Sequence, residues 1–247
     1  MSEIDLSIVI PACNEQARLP PTLAAVTAWL DLQTLQAEVI VVDDGSQDLT
    51  AAVVRQAQSA DGRIRLVQLQ KNQGKGAALR AGVQQSQGRA VLFFDADLSY
   101  PLACVEVALK ALETADLVIG ARDLVEGAGH STYPWIRRLA TAGFQGVVDV
   151  SLGLGIRDTQ CGFKAFRGNV ARALFAVLTV NRFAFDVELL FVARRWQLSI
   201  ARIPVRMTHV SGSSVRLLRD SARMLRDIAR IRHRTARGGY PSRPDHV

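Results

Sequence analysis

Cysteine is scarce in this chain. Cys13, Cys104 and Cys161 are the three among 247 residues, and they are widely spaced. That spacing excludes a disulfide framework and shows no thiolate metal pattern, so they read as reduced thiols. Long apolar runs are missing too: no stretch approaches the roughly 20 residues that a membrane-crossing helix needs. The start, Met1 to Asp5, is short and acidic and lacks the basic and apolar regions of a secretory signal. The expectation is a cytoplasmic protein. Phosphate motifs are absent where two large enzyme classes need them. The first strand runs into Pro11-Ala12-Cys13-Asn14-Glu15 rather than Gly-x-Gly-x-x-Gly, and no Gly-Lys-Ser/Thr occurs anywhere. Gly74-Lys75-Gly76 comes later and opens a different helix. Dinucleotide oxidoreduction and P-loop phosphoryl transfer are therefore disfavoured. With only His130, His209, His233 and His246, no Ser-His-Asp set can be argued either.

What is present is a chain that is 49% hydrophobic, enough for one large core. Its net charge of +7 is unevenly placed: eight Arg and two Asp lie between Arg216 and Arg237. The basicity belongs to a tail, which one partner is expected to meet.

Hydrophobic patterning predicts alternating strands and helices over the first 120 residues. Strands are expected at 6–10, 37–42, 64–68, 90–94 and 115–120, with helices at 19–30, 50–60, 74–87 and 105–114. This is the signature of a mostly parallel α/β sheet flanked by helices. The second half reads as a polar loop over 127–133, an apolar helix over 136–152 and a Gly-rich turn. Strands at 159–167 and 200–207 with a helix at 187–196 follow, then a helix from about 215 to 234. The expected organisation is one domain over 1–212, a basic amphipathic helix over 213–236 and a disordered tail over 237–247.

Acids stand where the strands end. Asp43 and Asp44 close the second strand, and Asp95 and Asp97 follow the run Ala90 to Phe94. Ligands of open α/β sheets gather at the carboxyl ends of strands. Mg²⁺ takes oxygen ligands, commonly one or two carboxylates plus substrate phosphates, and carboxylates also accept from ribose hydroxyls and base N–H groups. A lone Asp-x-Asp is also a common loop or cap element. Two acidic pairs at two strand ends instead suggest a nucleotide-sugar site, one pair for the nucleoside and one for metal and diphosphate.

Four motifs then agree in order and spacing: Pro11-Ala12-Cys13-Asn14-Glu15, Val41-Val42-Asp43-Asp44-Gly45-Ser46, Asn72-Gln73-Gly74-Lys75-Gly76 and Phe94-Asp95-Ala96-Asp97-Leu98. Together they resemble the inverting glycosyltransferases of family 2, which implies the GT-A fold. In the second half, Asp158-Thr159-Gln160-Cys161-Gly162-Phe163-Lys164 and Phe185-Asp186-Val187-Glu188-Leu189-Leu190 resemble the dolichyl-phosphate glucosyltransferases, with the dolichyl-phosphate mannose synthases similar. The resemblance implies transfer of a hexose, glucose ahead of mannose, from UDP-glucose or GDP-mannose to dolichyl or polyprenyl phosphate, with Mg²⁺ or Mn²⁺. Other readings are a family-2 transferase for glycan or small-molecule acceptors, a silent donor-binding homologue, and a nucleic-acid-binding protein using the Arg-rich helix. The last has no account of the acidic strand ends, which would repel a nucleic acid.

The resemblance also implies roles. Asp97 is expected on the metal, with Asp95 beside it near the ribose or donor sugar. Pro11, Ala12, Asn14, Glu15, Asp43 and Asp44 fall on the donor side; Glu15 could also cap a helix, and Asp43 could brace its loop. Lys75 meets the diphosphate or merely opens a solvated helix. Arg122, Arg137 and Arg138 are candidates for the acceptor phosphate, since the guanidinium fork suits phosphate oxygens. Gln160, Asp186, Glu188, Ser213 and Arg216 are candidates for the acceptor end. Asp158 is a catalytic candidate or a turn cap, and Cys161 reads as packing.

A lipid phosphate is already ionised, so no base is required; a neutral acceptor would need one, with Asp158 the candidate. Two positions depart from the relatives. Ser99 stands where mannose synthases often have Gln, and Ser214 stands where Lys is usual, with Arg216 or Arg206 as substitutes.

In the tail, Leu217, Leu218, Met224, Leu225, Ile228 and Ile231 recur at helical spacing among Arg219, Arg223, Arg226, Arg230 and Arg234. A basic amphipathic helix suits an anionic membrane interface, and equally suits packing on the domain. The expected location is peripheral, at the inner face of the membrane.

Overall fold

A computed structural model of the chain describes residues 3–125, 152, 153, 155, 158, 159, 161–182, 184–207, 217–245 and 247, with side chains of the last helix described from 223 onward. The elements are β1 (Leu6–Ala12), α1 (Leu19–Asp31), β2 (Ala37–Asp43), α2 (Thr50–Ala60), β3 (Ile64–Gln68), α3 (Lys75–Gln84), β4 (Ala90–Phe93), α4 (Ala103–Ala111), β5 (Leu117–Ala121), a 3-10 turn (Arg122–Leu124), β6 (Lys164–Arg167), α5 (Gly168–Val177), α6 (Phe185–Arg195), β7 (Ile200–Pro204) and α7 (Leu217–Ala236).

The strands form one sheet in the order β3-β2-β1-β4-β6-β5-β7. All neighbouring pairs are parallel except those of β6, which runs antiparallel to both β4 and β5. The chain moves outward from β1 through β2 to β3 and then returns to place β4 on the other side of β1. The order therefore reverses between β1 and β4, and a crevice opens at their carboxyl ends, the usual ligand position of such sheets. Because β6 is antiparallel, its amino end, Lys164, comes to that same edge, opposite Phe93.

Alternation along the buried strands builds a core on each face. Val9, Ile40, Val42, Val91 and Phe93 pack with residues of α3, α5, α6 and α7. Ile8, Ile10, Val39, Val41 and Leu92 pack on the other face with α1, α2 and α4. Strands such as β1 and β2 are almost continuously apolar because both faces are covered. Pro at the start of α1 supplies the fixed φ and tolerates the unpaired first amide.

The sheet and helices of the first half stand as expected, with ends shifted by up to three residues. Three expectations are corrected. Thr159 and residues 161–163 precede the strand rather than belong to it, because β6 begins at Lys164. The patterning identified no helix between 167 and 187, yet α5 spans Gly168–Val177 and buries Val170, Ala171, Leu174 and Phe175 at helical spacing. The tail expected to be disordered over 237–247 is packed where it is described, at 237–245 and 247. Tyr240 is 3% exposed and belongs to the core beside Ile228 and Ile231, and Trp196 Nε1 donates to the Pro241 carbonyl at 2.9 Å. The helix expected over 136–152 and the loop over 127–133 lie outside the described residues.

Candidate active site

Four loops meet at the β1/β4 crevice, and polar side chains stitch them together. Asn14, in the left-handed region at φ 57°, accepts from the Gln47 amide through Oδ1 at 2.9 Å, while its own amide donates to Ser46 Oγ at 2.9 Å. The Glu15 amide donates to Thr50 Oγ1 at 2.8 Å. The loop after β1, with Pro11, Ala12, Asn14 and Glu15, is thereby joined to the loop after β2.

Asp43 and Asp44 are buried, at 0% and 3% exposure, and both brace backbone. Asp43 accepts from the Ser46 amide at 3.0 Å and from Gln68 Nε2 at 3.2 Å. Asp44 accepts from the amides of Gln73 and Gly74, each at 2.7 Å, and so fixes the loop that leads into α3. Gly74 is at φ 105°, and a Cβ there would lie 2.5 Å from the Asn181 carbonyl oxygen. Only glycine lets this loop wedge between Asp44 and the turn before α6. The result aims Lys75 across the crevice at Asp95, with which it forms an ion pair.

The Asp95–Ser99 segment is a tight turn two residues past the end of β4. Leu98 sits at φ 47° and its amide donates to the Asp95 carbonyl at 3.1 Å. Ser99 donates to Asp97 Oδ1 through its amide at 3.1 Å and its hydroxyl at 2.6 Å. Thr22 Oγ1 of α1 holds the Ala96 carbonyl at 2.7 Å. Glu15 faces the same space. Burial pushes its carboxyl above the usual range; Arg18 opposes the shift, and the charges of Asp97 and Asp95 add to it. Lys75 loses hydration by burial, but Asp95, Asp186 and Asp97 more than offset this and hold its ammonium above the usual lysine range.

On the other side of the crevice, Arg122 directly follows β5. Its Nε and Nη2 grip Asp158 at 2.9 and 2.5 Å, and its backbone amide donates to the same carboxylate at 3.0 Å. Burial works to raise the Asp158 carboxyl, but the Arg122 bonds and charge outweigh it and hold it below the usual carboxylate range. A carboxylate so held is a poor proton acceptor. Cys161 is fully buried, and burial pushes its thiol up, which makes it an inert packing group.

Two residues expected at the acceptor end are placed elsewhere. Asp186 is buried against Lys164 at 2.6 Å. Glu188 is 0% exposed and accepts from the amides of Thr179 and Val180, the Thr179 hydroxyl and the Tyr240 hydroxyl at 2.7–2.8 Å. It locks α6 to the tail and is not brought to the crevice. Arg137, Arg138, Gln160, Ser213, Ser214 and Arg216 lie outside the described residues. The sequence reading missed Lys164; a lone lysine at the start of a short strand has no signal apart from the motif around it.

The metal question turns on the donor set. Among the described residues no group of three or more His, Cys, Asp or Glu could hold a cation by itself. Asp95 and Asp97 offer hard oxygen donors, with Asp97 Oδ1 oriented by Ser99. This fits a cation such as Mg²⁺ or Mn²⁺, which completes its shell with water and substrate phosphates.

Residues 7–175 match the model of a family described as glycosyl transferase family 2. The chain belongs to that family. The transferase is 40% identical over 226 residues to a dolichyl-phosphate beta-glucosyltransferase of Drosophila melanogaster, covering 86% of this chain and 69% of that protein. The human dolichyl-phosphate beta-glucosyltransferase is 37% identical, over 85% of this chain and 69% of its own. Among solved structures, glucosyl-3-phosphoglycerate synthase from Mycobacterium tuberculosis superposes with a TM-score of 0.70 at 19% identity, covering 97% of this chain and 81% of that one. Mannosyl-3-phosphoglycerate synthase from Rubrobacter xylanophilus gives 0.68 at 20% identity, covering 99% and 78%. These two establish the GT-A fold. Structures of the mycobacterial synthase hold Mn²⁺ or Mg²⁺ with UDP.

Proposed function

We propose that this transferase moves glucose from UDP-glucose to dolichyl or polyprenyl phosphate with inversion, with the cation held by Asp97 and Asp95. The observation that carries this is the meeting of Asp95, Asp97 and Lys75 at the β1/β4 crevice opposite the Arg122–Asp158 pair. The similarity to dolichyl-phosphate beta-glucosyltransferases over most of the chain supports glucose and the lipid acceptor.

Each residue then has a defined task. Pro11, Ala12, Asn14 and Glu15 line the nucleoside side, on a loop tied to the one after β2 through Ser46, Gln47 and Thr50, while Asp43 and Asp44 brace the neighbouring loops. Lys75 stands ready for the diphosphate. Asp97 and Asp95 would hold a cation that, when bound, would supply charge neutralisation for the departing diphosphate. Arg122 presents the acceptor phosphate with the Nη1 group that lies outside its fork to Asp158, and Asp158 keeps that guanidinium oriented. A phosphate oxygen forms the new bond to the anomeric carbon as the bond to the UDP oxygen breaks. The acceptor is already an anion, so no proton must move, in keeping with an Asp158 held unprotonated by Arg122. Orientation and charge stabilisation carry the rate.

No helix among the described residues is long and apolar enough to cross a membrane. The basic face of α7, with Arg226 and Arg230 exposed one turn apart, supports cytoplasmic, peripheral attachment to an anionic membrane surface rather than to nucleic acid. The test is to supply radiolabelled UDP-glucose and GDP-mannose with polyprenyl phosphate and Mg²⁺ or Mn²⁺. Label from UDP-glucose should enter the organic phase. Label confined to water-soluble product would refute the lipid acceptor.

A further inference from the structure

Lys164 opens β6 in the middle of the sheet, opposite Phe93 of β4 and Ile119 of β5. Its side chain is 0% exposed, a rare state for lysine unless it is paired. Nζ donates to the Cys161 carbonyl at 2.7 Å and to Asp186 Oδ1 at 2.6 Å. Asp186, in the first turn of α6, also feels the Lys75 ammonium, and Lys75 pairs with Asp95. Positive and negative groups thus alternate from Lys164 through Asp186 and Lys75 to Asp95, from the sheet interior out to the crevice.

Stability does not account for such a pair. Taking two ions out of water is costly, and apolar replacement of a buried pair is often neutral or stabilising. Position does account for it, in two ways. The bond to the Cys161 carbonyl pins the turn that carries Asp158 at φ 58° and Gly162, whose missing Cβ leaves room for Asp95 Oδ2; a Cβ there would lie 2.5 Å from that oxygen. Asp186 gives Lys75 a second counter-charge, so the ammonium stays in the crevice when Asp95 engages a donor.

We infer that Lys164 and Asp186 are positioning residues for the donor side of the site, holding Lys75 against Asp95 and fixing the turn beneath both. The inference rests on the nucleotide-sugar reading for its binding readout. The test uses the full chain carrying Lys164→Met and Asp186→Leu together, which removes both buried charges. The thermal midpoint should stay within about 5 °C of the parent. Affinity for UDP with Mn²⁺, measured by calorimetry, should weaken about 10–100-fold, and a crystal structure should show Lys75 displaced from Asp95. Parental affinity with the Lys75–Asp95 contact intact would overturn the inference, as would a lowered midpoint with unchanged affinity. Should the double variant not fold, Asp186→Asn takes its place: weakened UDP binding supports the inference and parental binding overturns it. If the parent transfers no glucose, the proposed activity fails, while the Lys75–Asp95 contact in the variant crystal still decides the positioning role.

Discussion

Arg122 and Asp158 lie 36 residues apart in sequence yet form a two-pronged ion pair, Nε and Nη2 of one gripping both carboxylate oxygens of the other at 2.9 and 2.5 Å. Each serves as the other's orienting group. Arg122→Lys should lower kcat at least about tenfold, because an ammonium cannot reproduce the planar fork; steady-state kinetics at saturating donor would show it. Turnover that persists at the parental rate would remove Arg122 from the acceptor site.

The same pair sets a pH signature. The folded carboxyl of Asp158 is held below its usual value, so its contribution to stability is present above the unfolded value of about 3.9. It is lost as pH falls through the lower, folded value. Denaturant unfolding of the parent should therefore steepen its loss of stability below about pH 4, and Asp158→Asn should flatten that acid limb. The pH–rate profile should show no base inflection from Asp158 above pH 5 or so, within the usual range of a shifted carboxylate.

Asp97 carries the metal assignment. Asp97→Ala should reduce kcat on the order of 100-fold or more, and it should abolish the rise in UDP affinity that Mn²⁺ gives the parent in calorimetry. Chelation of the parent with EDTA should stop turnover, and added Mg²⁺ or Mn²⁺ should restore it.

Gly162 offers a gentler probe of the same carboxylate pair. An alanine Cβ there would fall 2.5 Å from Asp95 Oδ2, and the flexible carboxylate is the group that can give way. Gly162→Ala should raise the Mn²⁺ concentration for half-maximal rate about 10-fold while leaving the melting temperature nearly unchanged. A large drop in melting temperature with an unaltered metal requirement would contradict this.

Tyr240 anchors the carboxyl-terminal segment. Its hydroxyl donates to the buried Glu188 at 2.7 Å, and the Arg234 guanidinium lies 4.3 Å from its ring centroid. Tyr240→Phe keeps the ring and removes a hydrogen bond to a charged group, at a cost of about 1.5–3 kcal/mol, or roughly 3–12 °C in melting temperature. Calorimetric melting checks this. Donor affinity at 25 °C should be unaffected, because Glu188 is not in the crevice.

The sequence by itself determined the frame. Period-two and continuous apolar runs such as Leu6 to Ile10 and Val39 to Val42 identify strands covered on both faces, and short helices between them dictate a parallel sheet. Acids at the ends of those runs, Asp43, Asp44, Asp95 and Asp97, must then lie on one edge, because parallel strands all present their carboxyl ends together. Family motifs added the chemistry. Local pattern carries this much because strand period and connection handedness are local properties. It does not carry which of several acids contacts a ligand. Asp44 and Glu188 look alike as motif carboxylates, yet one braces backbone amides beside the crevice and the other is sealed under the tail. Tertiary structure decided that, along with the partner of Asp158, the packing of Tyr240 and the burial of Lys164. Each depends on which groups, distant in sequence, satisfy a charge once water is excluded, and only the assembled core fixes that pairing.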